Sequence, residues 1–179
     1  PKRVIKEAGI KAGDIVADVG CGAGYWTYYL SEAVGPTGKV YAIDFDPNAT
    51  SYLQKRLQEK PLKNVELVTS KSHDIMMPED SVDHAMLVNV HFLMNADEMK
   101  SNDISQVKED FPDFYGSIHK ALRSDGQMIF IESSKEEDVG RRVDAAQITE
   151  QLQGVQFAQK SKFDFLEPRQ NFMLYSLVE

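Results

Sequence analysis

At 179 residues, 42% hydrophobic and 27% charged, the chain has the size and composition of one ordinary globular domain, which excludes disordered, collagen-like and disulfide-scaffold classes. Its net charge of −8 disfavours non-specific binding to nucleic acid, and a basic stretch such as Arg141–Arg142 is only a pair. One cysteine, Cys21, excludes an internal disulfide, and no apolar run approaches the ~18 residues of a membrane span.

Residues 1–12 read as a short helix with Val4, Ile5 and Ala8 on one face. Gly13-Asp14 turns the chain into Ile15–Val19, an apolar run opening straight into Gly20, which reads as a buried strand. A helical pattern from Tyr25 to Val34 is broken by Gly35-Pro-Thr-Gly38. Val40–Ile43 is the second strand and ends at Asp44; Pro47 suits the first turn of a helix reaching about Glu59. Val65–Thr69 and Val82–Val88 are the third and fourth strands. The polar stretch Asn95–Lys108 reads as an insertion, a solvated surface or a mobile lid, at about residues 95–110. A helix near Phe111–Leu122, a turn at Ser124–Gly126, a fifth strand at Met128–Glu132 and a helix near Asp144–Leu152 follow. The tail reads as two strands, Val155–Phe165 and Asn171–Val178. Strands alternating with helices and ending in a hairpin predict one α/β domain over residues 1–179, mostly parallel with an antiparallel close.

The informative segment is Asp18-Val-Gly20-Cys-Gly22-Ala-Gly24, between a predicted strand and a predicted helix. Glycines let a backbone turn tightly and approach a ligand, and the helix start presents unpaired N–H groups. A dinucleotide site wants a third glycine where this chain has Tyr25. A carboxylate at Asp18 repels a pyrophosphate and suits a ligand with a cationic amino group. Asp44 ends the second strand about 20 residues past the loop, the place of a residue that binds ribose hydroxyls. The ligand therefore has a ribose and an amine, and no pyrophosphate.

These segments, with Gly35-Pro-Thr-Gly-Lys-Val-Tyr-Ala-Ile-Asp44, resemble the first two motifs of class I S-adenosylmethionine (SAM) methyltransferases, and in particular the small "type 11" methyltransferase-domain group. Pro78-Glu-Asp-Ser-Val-Asp83 and His119-Lys-Ala-Leu-Arg-Ser-Asp-Gly126 are similar to that group's turns before the fourth and fifth strands, so the resemblance covers roughly residues 10–132. It implies a Rossmann-like, doubly wound, seven-stranded sheet with an antiparallel last strand and helices on both faces. It implies SAM as cofactor, with Asp18, Gly20, Cys21, Gly22 and Gly24 around the methionine end, Asp44 on the ribose and Phe45 near the adenine. The group commonly carries an acidic adenine contact after the third strand, where this chain has Lys71; Asp74, or Ser72 through its backbone, is the substitute.

Methyl transfer needs alignment of nucleophile and methyl group more than it needs a triad. Asn89 is a candidate contact to the methionine end. His91 is a candidate base or substrate contact, or else packs the strand–loop junction. Tyr25 offers an aromatic face to a sulfonium or covers the loop, while Trp26 reads as packing. Cys21 and the four histidines show no zinc-ligand spacing, so no metal is expected. The expected partner is a small-molecule acceptor, with a protein side chain as the other possibility, and with no nucleic acid and no membrane span. The lone cysteine fits a reducing, cytoplasmic compartment, although a chain beginning at Pro1 leaves room for an upstream signal segment. The alternatives are a non-catalytic SAM-binding or scaffold protein and, more remotely, an NAD-dependent oxidoreductase.

Overall fold

The computed structural model describes residues 1–91, 111–133, 145–167 and 169–178. The expected insertion at about 95–110 lies outside the described residues.

Seven strands form one sheet: β1 (Ile15–Val19), β2 (Lys39–Asp44), β3 (Val65–Thr69), β4 (Val82–Val88), β5 (Leu122–Ser133), β6 (Phe157–Phe163) and β7 (Gln170–Leu177). The helices are α1 (Lys2–Glu7), α2 (Tyr25–Val34), α3 (Pro47–Glu59), α4 (Phe111–Ala121) and α5 (Ala145–Gln153). The sheet order is β3-β2-β1-β4-β5-β7-β6. The first five strands in that order pair in parallel, while β7 pairs antiparallel with both β5 and β6. This is the expected Rossmann-like sheet. Its strand order reverses direction between β1 and β4, and an open α/β sheet binds its ligand at that switch point, outside the carboxyl ends of the strands.

Side-chain alternation divides the core. Val16, Val40, Met86, Ile129 and Ile131 pack with Val4 and Ile5 of α1 and with Leu30 and Val34 of α2. Ala17, Val19, Ile43, Ala85, Leu87 and Phe130 pack on the opposite face with Phe114, Tyr115 and Ile118 of α4 and with Ile148 and Leu152 of α5. Leu53 anchors α3 over Ala42 and Cys21. The central strands are buried on both faces, so they read as continuous apolar runs rather than alternating ones.

Three boundaries depart from the sequence reading. The first helix stops at Glu7 instead of reaching residue 12, because Gly9 takes a left-handed φ of 76° just past its end. The fifth strand starts at Leu122, so the expected turn at Ser124–Gly126 is a bulge inside it: Val82 pairs Leu122 and His84 pairs Gln127. There Arg123 reaches back to Asp83 at 2.5 Å. The sixth strand is shorter than Val155–Phe165: Val155 N–H bonds to the Leu152 carbonyl and Gln156 sits at φ 66°, so both belong to the turn after α5.

Candidate active site

Parallel register brings the carboxyl ends of β3, β2, β1 and β4 into one row, pairing Asp44 with Thr69 and Val19 with both Ile43 and Leu87. Ser72, Asp44 and Phe45, the Gly20–Gly24 loop and Asn89 therefore follow one another along one sheet edge.

The loop is held by its backbone. Gly20 and Cys21 N–H groups both donate to the Ile43 carbonyl, at 2.8 and 3.0 Å, which ties the loop to the end of β2. Gly20, Gly22 and Gly24 all take left-handed φ values, of 72°, 52° and 81°. Two of them are also sterically required. A Cβ on Gly20 would come within 2.5 Å of Val90 Cγ2, and one on Gly24 would collide with Leu53. Gly22 has open space on that side and leaves bare backbone for a ligand. α2 begins directly at Gly24 with no side-chain cap and no acidic residue in its first turn. By contrast, Asp46 caps α3, accepting from the Asn48 N–H at 2.8 Å.

Asp44 is 8% exposed. Its Oδ2 accepts the Gly22 N–H at 2.8 Å and its Oδ1 accepts the Asp46 N–H at 3.0 Å. Each carboxylate oxygen has a second lone pair, so both can still accept from hydroxyls. Asp18 lies deeper than expected. It is 3% exposed under the start of α2, where Thr27 Oγ1 donates to it at 2.6 Å. Burial pushes its carboxyl up to about 7, against the Thr27 hydrogen bond and helped by the nearby Asp44 charge. Thr27 is a partner that the sequence reading missed; its only signal is a hydroxyl on the inner face of the first turn after the loop.

Phe45 stands 52% exposed beside Asp44. Ser72 is half-buried in the β3–β4 loop, while the Lys71 side chain is exposed. The Asp74 carboxylate accepts the Met76 N–H at 2.7 Å and faces a cavity with Met77 and Pro112. Asn89 ends β4 at φ 54°; its N–H donates to the Ile131 carbonyl at 2.8 Å and its Oδ1 accepts from Ser133 at 3.3 Å. Tyr25 is 57% exposed and sits edge-on to Tyr29 at 5.3 Å, on the outer side of α2. Trp26 packs into the α1–α2 core.

Cys21 and His91 are both interior groups. Cys21 is buried, and burial, with Asp18 and Asp44 nearby, drives its thiol far above the usual range, the reverse of an activated nucleophile. His91 is fully buried: Nδ1 meets Tyr115 Oη at 2.8 Å, Nε2 meets Gln151 Oε1 at 3.0 Å, and its backbone N–H donates to buried Glu132 at 2.5 Å. Burial lowers its pKa to about 4. Among the described residues, no cluster of three or more His, Cys, Asp or Glu side chains is placed to hold a metal. No described helix is long and apolar enough to cross a membrane.

These two titrations pull stability in opposite directions. Asp18 is raised from 3.8, so its contribution is full below pH 3.8 and is lost as pH climbs through about 7. His91 is lowered from 6.5, so its contribution is present above pH 6.5 and is lost as pH falls through about 4. The His91 shift corresponds to about 3 kcal/mol. In urea unfolding across pH 4–7, Asp18→Asn should leave stability rising with pH, and His91→Gln should leave it falling. Matching slopes in the two variants would contradict both placements.

A family model described as a methyltransferase domain matches residues 10–171. The chain belongs to that methyltransferase-domain family. The methyltransferase domain is 30% identical over 142 residues to a demethylmenaquinone methyltransferase of Oceanobacillus iheyensis, a match covering 79% of this chain and 53% of the relative. It is 37% identical over 86 residues to one of Staphylococcus aureus, covering 48% of this chain and 35% of the relative. The chain thus spans about half or less of the curated relatives it matches. A SAM-dependent methyltransferase structure from Aquifex aeolicus superposes with a TM-score of 0.83 at 25% identity, covering 99% of this chain and 89% of that one.

Family and fold imply SAM as the cofactor, and the edge residues fit it. Gly22 leaves room against the backbone, the α2 start offers uncapped N–H groups to a carboxylate, and Asp44 keeps lone pairs for two hydroxyls. The nicotinamide alternative fares worse: Tyr25 stands where a dinucleotide site wants its third glycine, and the Asp18 carboxyl, which gains negative charge as pH rises toward about 7, lies under the loop.

Proposed function

We infer that the domain transfers a methyl group from SAM to a small-molecule acceptor, and that the acceptor is a quinone-type ring like the one in its relatives' names. The observation that carries the reading is the convergence of Asp44, the glycine loop and the uncapped α2 start on one sheet edge, in a chain of this family. When bound, SAM would supply a methyl group on its sulfonium; the sulfur would keep the C–S electron pair as S-adenosylhomocysteine, and the proton that the acceptor loses would pass to solvent.

The chain's own residues have positioning roles in this reading. Asp44 accepts both ribose hydroxyls, Phe45 covers the adenine, and Ser72 meets the base through its backbone in place of the acidic residue that Lys71 replaces. The α2 N–H groups receive the methionine carboxylate. Asp18 balances the amino group from beneath the loop. Asn89 meets the methionine end from β4. His91 is a positioning residue and not the base: its bonds to Tyr115, Gln151 and Glu132 fix the end of β4, so that Val90 lies against Gly20.

Mass spectrometry tests the reading on protein incubated with SAM and a short-chain demethylmenaquinol. A product heavier by one methylene, with stoichiometric S-adenosylhomocysteine, is expected. A second reading, a non-catalytic SAM-binding scaffold, draws on Lys71 in the adenine position. SAM binding without methylation of quinols, phenols or protein side chains would favour it.

A further inference from the structure

On the solvent side of α2 and α3 lies a groove of about 520 Å³. One wall is Tyr25, Tyr29 and Glu32 of α2; the other is Arg56 and Lys60 of α3, with Tyr28 between them. The Arg56 guanidinium stands 4.9 Å and the Lys60 ammonium 5.3 Å from the Tyr28 ring centroid. Among the described residues neither cation is paired with a carboxylate. Stacking on a phenol steadies both charges without neutralising them. The groove thus presents two cations at one wall and, at the other, the half-buried Tyr29 and the 57% exposed Tyr25, with the Glu32 carboxylate beside them paired to Lys2 at 3.7 Å.

Arg56 also joins the groove to the cofactor loop. Its Nη1 donates to the Ala23 carbonyl at 2.6 Å, across 33 residues of chain, inside the Gly20–Gly24 loop just before α2. One turn earlier on the same helix, Leu53 fills the space beside Gly24. α3 therefore holds the loop from outside by one apolar and one charged contact. The guanidinium is planar and has five donors, of which the Ala23 bond uses one. Its remaining edge can take an anion while Nη1 stays on the loop.

We propose that the α2–α3 groove is a regulatory binding site for a small aromatic anion, a planar ring bearing a carboxylate or a phosphate, and that its occupancy tightens SAM binding through Arg56. The ring lies on Tyr25 and Tyr29, and the anion bridges Arg56 and Lys60. Fixing a half-exposed arginine in the rotamer that reaches Ala23 removes an ordering cost that SAM binding otherwise carries, so the two ligands favour each other. The coupling rests on the reading that this domain binds SAM; the groove itself does not.

Phenyl phosphate is the probe, with benzoate, inorganic phosphate and phenol as separate arms. Calorimetry on the intact chain reads probe binding alone, then SAM binding with and without saturating probe. Phenyl phosphate or benzoate should bind well above phosphate or phenol, and the better of the two identifies the anion. SAM should bind about 3- to 10-fold tighter with the probe present, a modest coupling by the scale of allosteric systems. Lys60→Gln should weaken the probe about 5-fold or more, as loss of a charge-assisted contact does, and leave SAM affinity without probe unchanged. Arg56→Gln should weaken SAM alone and abolish the coupling. No probe binding, equal binding of phenol, or unchanged SAM affinity with the probe bound would overturn the proposal. Absence of SAM binding in every arm, with the probe bound, would instead fail the methyltransferase reading.

Discussion

Asp44→Ala should lower SAM affinity by about 100-fold or more, since each hydrogen bond to a charged group contributes about 1.5–3 kcal/mol and two ribose hydroxyls lose theirs. The loss has a second source within the protein. Asp44 Oδ2 holds the Gly22 N–H and Oδ1 the Asp46 N–H, so the variant frees the loop and the entry to α3 together. Asp44→Asn is the milder variant. Its amide oxygen keeps one of these N–H donors, and its NH₂ leaves the other without an acceptor. It should fall between wild type and Asp44→Ala in both affinity and unfolding midpoint. Equilibrium dialysis with labelled SAM reads the affinity. Asp44→Ala binding within threefold of wild type would remove Asp44 from the cofactor site.

The second large effect is expected at Gly20. Gly20→Ala places a side chain at φ 72° and within 2.5 Å of Val90 Cγ2. The left-handed backbone costs an L-residue about 1–2 kcal/mol, and overpacking adds about 1–3 kcal/mol. A domain of this kind has about 5–15 kcal/mol in total, so the variant should fold with a clearly lowered midpoint. The loop must also shift away from Val90, and SAM affinity should fall at least as steeply as stability. Adding Val90→Ala removes the clash but not the backbone strain, so the double variant should recover part of the stability and not all of it. Gly22→Ala is the control. It meets open space and carries only the backbone cost at φ 52°, so its stability loss should be the smaller, while its added methyl occupies the ligand side of the loop. Equal losses at Gly20 and Gly22 in urea unfolding would contradict the packing described for Val90.

Where local chemistry decides structure, the sequence reads well. Ile15–Val19, Val65–Thr69 and Val82–Val88 are strands at the predicted residues, and Tyr25–Val34 and Pro47–Glu59 are helices at theirs, because turn-forming residues such as Gly, Pro, Asn, Asp and Ser stand at or next to their ends. The glycine loop and Asp44 are legible for the same reason: backbone conformation and spacing identify them without any distant partner. Positions set by long-range contacts are not legible. His91 looks like a candidate base in sequence, and only Tyr115, Gln151 and Glu132, 24 to 60 residues away, place it in the core. Asp18 looks crevice-facing until Thr27 is seen to hold it under α2. Arg56 reads as one more surface cation on α3, and its bond to Ala23 spans 33 residues. The turn at Ser124–Gly126 is real in sequence, but pairing with β4 on both sides makes it a bulge within β5.

The acceptor is a separate question from the fold, since one scaffold of this kind serves many chemistries. The cofactor is the claim on which the rest stands, and one calorimetric titration tests it most directly, with SAM and NADH added to separate samples of the wild-type chain. Micromolar binding of SAM is expected, tightening as pH rises toward about 7 while Asp18 gains its charge, with no binding of NADH. Binding of NADH, or of neither ligand, would contradict the cofactor claim.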